Sequence, residues 1–241
     1  PREEAGRLKD SIHIRGIQQG LVVWAQNNND LYPLPSAIDK MDTTVTDAGR
    51  AKDTTANIFS MMVYMGMIST ETFISPMEKN PAIVLDEDYE FDAPRAAAKP
   101  ATALWDPAFS ADFTGGKKGN VSYAHLQPAG KRLERWSNTA GKQEIILASR
   151  GPEVRSVAHH EDGSVKPTLA NPKSIALTLH GDGAAWSGWT TSNDVNVSSH
   201  RGNMGQERPA STTNGRTYTG KDGKVWPDLW FYDEPDDPDS T

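Results

Sequence analysis

The chain has 241 residues with 25 Lys and Arg against 32 Asp and Glu, a net charge of −7, and no cysteine. The missing thiols exclude disulfides, zinc–thiolate centres and cysteine nucleophiles. The acidic balance, with no Lys/Arg run longer than two residues, argues against a nucleic-acid partner.

The first predicted element is a helix from Arg2 to about Asn28. Ile14, Ile17, Leu21 and Trp24 fall at a three-four-three spacing, one face of a 3.6-residue period. Glu3 and Glu4 sit in the first turn, where carboxylates suit the positive helix end. Gly16 and Gly20 lie inside it and suit close packing on a sheet or neighbour. The run Asn27–Asp30 accommodates left-handed backbone and ends the helix. Pro33 and Pro35, after Tyr32, forbid its return.

A polar excursion over 36–56 leads to a second predicted helix, about Thr55 to Met67, capped by Asp53 or Thr54, with Ile58, Met61, Met62 and Met65 on its core side. Ile68 to Pro76 reads as a turn and a short strand. Residues 86–119 read as loop, pinned to the core by a short helical turn at Leu104–Phe109. Strands are predicted at Asn120–Leu126, Glu144–Ser149, Ser174–His180, Ala184–Thr190 and Val195–Val197, with His180–Gly183 as a hairpin turn. The tail sets Trp226, Trp230, Phe231 and Tyr232 before the acidic run Asp233–Asp239. The fold class is therefore α+β: one long N-terminal helix packed on an antiparallel β-sheet, with loop-rich insertions. It divides into residues 1–35 (helix and junction) and 36–241 (globular head with an acidic tail).

Chemistry-bearing clusters are few. His159 and His160 with Glu161 and Asp162, then His180 and Asp194, are the metal-ligand candidates; adjacent His side chains point to opposite sides of an extended chain, which favours a hydrated turn. Thr114–Gly119 lacks the order of a phosphate-binding loop. No G-x-S-x-G nucleophile pattern occurs. Trp186, Trp189, Trp226 and Trp230 offer either core or a sugar-stacking platform.

The segments Arg2-Glu3-Glu4-Ala5, Arg7, Ile17–Leu21 and Asp30–Pro35 resemble the region after the membrane stub in bacterial prepilin-like and pseudopilin-like proteins of the type II secretion and type IV pilus group. Phe73–Pro76, Val121–Ala124 and Arg135–Thr139 also look like members of that group. A family His followed by Asp-Gly has only a stretched counterpart in His180 and Asn193–Val197, without the Gly.

The resemblance implies a non-enzymatic, pilin-like subunit with prepilin-type N-terminal methylation. Its partners are other such subunits, in self- or hetero-assembly, and the inner membrane, reached through an N-terminal segment upstream of Pro1. The head is expected in the periplasm or at the cell surface. Ile14, Ile17, Leu21 and Trp24 become the packing helix, and Tyr32, Pro33 and Pro35 the junction. No catalytic residue or cofactor is expected. Calcium is the one ion the resemblance brings in, near the C-terminal loops, although Asp236–Asp239 does not match an EF-hand loop. Two other readings stand beside this one: a secreted carbohydrate- or surface-binding module using exposed tryptophans, and a metal-dependent hydrolase on His159, His160 and His180.

Overall fold

The computed structural model describes residues 2–113, 115–152, 154–159, 165–202, 217–219 and 225–227. Helix α1, Arg2–Gln26, is followed by a one-turn α2, Pro35–Ile38, and by α3, Thr55–Tyr64. Strands β1 (Tyr123–His125), β2 (Ile145–Ser149), β5 (Trp186–Ser192) and β6 (Val197–Gly202) form an antiparallel sheet in the order β1-β2-β5-β6. Between β2 and β5 the chain leaves the sheet to make a hairpin of β3 (Val154–His159) and β4 (Val165–Leu169). Strands β7 (Thr217–Thr219) and β8 (Val225–Pro227), the latter carrying Trp226, pair with each other. The mixed helix-and-sheet class read from the sequence is the class observed.

Helix α1 is about 37 Å long at 1.5 Å per residue. A Glu3–Arg7 pair, 2.7 Å apart, links its first two turns in the favourable acid-before-base order. At the other end, Asn27 and Asn28 donate side-chain N–H groups to the carbonyls of Val23 and Trp24. Asn29 and Asp30 then adopt positive φ (53° and 63°), the left-handed stop expected of an Asn-rich run.

The helix lies across β2, β5 and β6. Ile14, Ile17 and Leu21 are 0% exposed and enter one core with Ile58, Phe59, Met62, Phe73, Trp136 and Ile145–Ala148. Each such side chain contributes roughly 1.5–3 kcal/mol by leaving water. Trp24 belongs to a smaller cluster with Met61 and Trp105. Gly20 allows the approach to α3: a Cβ there would lie 2.8 Å from Ile68 Cδ1 and 2.9 Å from Met62 Cε.

Several expectations need correction. The segment Ser174–His180 is not a strand; Ile175–Thr178 forms a 3₁₀ turn opened by the Ser174 hydroxyl, which accepts from the Ala176 N–H. A short apolar run does not separate strand from helix by periodicity. His180–Gly183 is consequently no hairpin turn. The real hairpin joins β5 to β6 through Asn193–Asn196, where Val195 has φ 63°, so the last predicted strand starts at Val197. Ile68–Pro76 holds a 3₁₀ turn, Thr70–Phe73, and no strand. Helix α3 is capped by the Thr54 hydroxyl, which accepts from Asn57 N–H, and ends at Tyr64, three residues early. Gly66 follows with φ 68°, and Met65 is 57% exposed, off the core side. Leu104–Phe109 is a non-helical turn, although Trp105 and Phe109 do anchor the loop.

Candidate functional site

The residues singled out in the sequence converge on the seam between α1 and the head. Tyr32, Pro33 and Pro35 are all buried, and the junction is tied to the turn after Gly130–Arg135. Trp136 donates its indole N–H to the Pro33 carbonyl (2.8 Å), and Tyr32 N–H donates to the Trp136 carbonyl (3.2 Å). The two rings meet edge to face at 5.3 Å. Ser137 Oγ and Asn138 N–H both donate to the Asp30 carbonyl. The proline pair therefore does more than stop the helix: it leaves a carbonyl for the tryptophan and sets the exit angle.

Two polar contacts cross the apolar face of α1, and the apolar spacing alone did not reveal them. Gln18, 0% exposed, donates to the Tyr32 hydroxyl (3.1 Å) and accepts from Thr191 Oγ1 (3.2 Å) on β5. Tyr32 in turn donates to Asn193 Oδ1, and Asn193 donates to the Ser137 and Ala140 carbonyls. Burial pushes the Tyr32 phenol far above its ordinary value, against a lesser lowering by Gln18, so it stays a donor.

Lower on the helix, Asp10, also 0% exposed, accepts from the Tyr123 hydroxyl on β1 and stands 2.8 Å from His180 Nε2. Desolvation, with the Asp10 charge beside it, raises Tyr123 well above an ordinary phenol. Next to this pair Arg150 grips Glu78 in two hydrogen bonds of 2.8 and 2.6 Å. Burial raises the Glu78 carboxyl, but the Arg150 hydrogen bond and charge outweigh it and hold it low. Asp10 continues the helical series upstream from Ile14 by four residues, and Gln18 adjoins Ile17. Polar residues on an apolar stripe were the signal to read.

The remaining candidates do not gather. His180 meets Asp10, not Asp194, which sits exposed in the β5–β6 turn accepting from Ser192 Oγ and Asn196 N–H. His159 closes β3, and His160 lies outside the described residues, as do Trp230 and the acidic run Asp233–Asp239. Among the described residues no three His, Asp or Glu side chains are placed to hold a metal ion. Trp186 is 1% exposed and donates to the Arg150 carbonyl, and Trp189 is half-buried, so these two of the four tryptophans belong to the body of the sheet, while Trp230 lies outside the described residues.

The outer side of α1 has a different character. Arg2–Ala5 and Arg7–Lys9 are exposed. Leu8, Ile12 and Val23 are 64%, 60% and 48% exposed. With Ala5 they lie within about 60° of one another around the axis, opposite the buried face. No described helix is long and apolar enough to cross a membrane. No family model, curated protein or solved structure matches the chain.

Proposed function

We propose that the chain is a non-enzymatic, pilin-like subunit of a secretion- or pilus-type filament assembly, its head held in the periplasm or at the cell surface by a membrane segment ahead of α1. The observation that carries this reading is the division of α1. From Asp10 to Ala25 one face is built into the head, while the two turns before Asp10 are exposed except where Gly6 meets Met77, and a stripe of Leu8, Ile12 and Val23 faces outward. A helix of this kind supplies two contact surfaces: one sets its own head, the other meets neighbouring subunits. The clamp of Trp136 on Pro33 and Tyr32 supports the same reading, because it fixes the angle between rod and head. Asp10 and His180 resemble an acid–base pair but lie beneath the helix, 0% and 5% exposed at the side chain, where no substrate reaches them.

The chain's lack of cysteine makes the test direct. Single cysteines at Leu8 and at Ile12, in the full-length protein in its own cell, are expected to cross-link into multimers. A cysteine at exposed Asp194 in the β5–β6 turn serves as the negative control. Absence of cross-links at both helix positions, together with a gene that encodes no apolar span and prepilin-type cleavage site upstream of Pro1, overturns the proposal.

A further inference from the structure

The exchange of one aliphatic side chain for another at the centre of the buried face does not fix where α1 sits along the sheet, although Trp24, seated on Met61 and Trp105, adds to what does. A slide of three or four residues brings Ile14 or Leu21 to the place of Ile17, an exchange between apolar side chains of similar volume that cores tolerate. Three buried residues do not tolerate it. Asp10 is matched to Tyr123 and His180, Gln18 to Tyr32 and Thr191, and Gly20 to the slot against Ile68 and Met62. At 100° per residue these three span about 160° of the helix circumference, covering the middle and both margins of the buried face.

From this geometry we infer that Asp10, Gln18 and Gly20 form a register key, which holds α1 at one axial and rotational setting and so decides which side chains face outward. A slide in either direction strands the partners of Asp10 and Gln18: the Tyr123 and Tyr32 hydroxyls lose an acceptor and a donor, and the buried carboxylate loses its partners. Such unpaired groups are far costlier than an apolar mismatch. The glycine slot acts in one direction only. A slide one way drives Val23 or Trp24 into it; a four-residue slide the other way delivers Gly16, which fits. The polar pairs therefore guard the direction that the glycine leaves open, together with Trp24, whose seat on Met61 and Trp105 would pass to Gly20. Buried polar groups that select one register at some expense of stability are a known use of such pairs. The key is a property of the folded chain and does not depend on the filament reading.

The test uses the whole chain, with spin labels on cysteines introduced at Leu8 and Met65, both exposed. The native chain is expected to give one narrow distance. The double variant Asp10→Leu/Gln18→Leu, with helix content by circular dichroism unchanged, is expected to add a second population displaced by about 5 Å, one helical turn. Adding Gly16→Val should abolish that second population by closing the glycine slot to it. Gly16 has room for the first carbon of the new side chain where it now lies, since a Cβ there sits 3.8 Å from Thr72 Cγ2, and Gly16→Ala, which adds that carbon alone, serves in the same way. A single native distance in the folded double variant overturns the inference, as does a second population that survives Gly16→Val. Should the double variant not fold, Gln18→Leu alone decides by the same distance measurement: a displaced population supports the key, and one native distance removes it.

Discussion

His125 on β1 is held between Phe59 and Trp136, with both ring nitrogens committed. The Leu126 carbonyl can only accept, so Nδ1 carries the hydrogen (2.8 Å), and Nε2 accepts from the Thr55 hydroxyl (2.9 Å). Burial lowers the imidazole to about 4, against a smaller opposing pull from the Leu126 carbonyl. The folded chain thus takes up this proton later than the unfolded chain, whose imidazole titrates near 6.5. Between those two values the unfolded state binds more protons. Stability is therefore intact above about pH 6.5 and declines as pH falls toward 4, by roughly 3 kcal/mol from this group. Urea denaturation at pH 7, 5.5 and 4 measures the slope. His125→Leu is expected to flatten it over that interval, and an unchanged slope in the variant would refute the assignment.

At the scale of elements, α1 divides near Asp10. The turns over Arg2–Lys9 contribute one exposed ion pair and a contact of Gly6 with Met77, whereas Asp10 to Ala25 supplies the core face. Exposed pairs are worth only tenths of a kcal/mol. Deleting residues 1–9 is expected to shift the melting temperature by no more than about 5 °C, since ~1 kcal/mol moves a domain of this size by roughly 2–4 °C. Extending the deletion through Ile14 should abolish cooperative melting. Much of this element was legible beforehand. The spacing of Ile14, Ile17, Leu21 and Trp24 gave the buried face, the Asn run gave the stop, and the prolines gave the junction. What escaped notice was long-range. Nothing local in Ser174–Leu179 says that Lys79 will reach across to donate to the Thr178 carbonyl (2.6 Å) and hold a 3₁₀ turn there. Nor does the local sequence place His180 under Asp10, 170 positions upstream. Such pairings depend on the order in which strands join the sheet, which residue periodicity does not encode.

Across the whole molecule, one apolar core runs from Ile14 on α1 through Ile58 on α3 to Ala148 on β2. The junction at Tyr32–Pro35 is wired into the same body by Trp136 and Asn193. Helix and head should therefore unfold together. Far-ultraviolet ellipticity, which follows α1 and α3, and tryptophan fluorescence, which follows Trp24, Trp105, Trp136 and Trp186, are expected to give superimposable denaturation curves. A separate early loss of ellipticity would mean that α1 lies on the head instead of belonging to it. The hairpin of β3 and β4 leaves the four-stranded sheet between β2 and β5 and returns at Leu169, which packs against Leu177 and Trp186. Its first and last paired residues, Val154 and Leu169, face each other across the ladder, so the backbone departs and comes back at a single doorway. A doorway of that shape accepts any foreign peptide with neighbouring ends: an epitope or a reporter can be spliced between those two positions while the four-stranded sheet closes behind it.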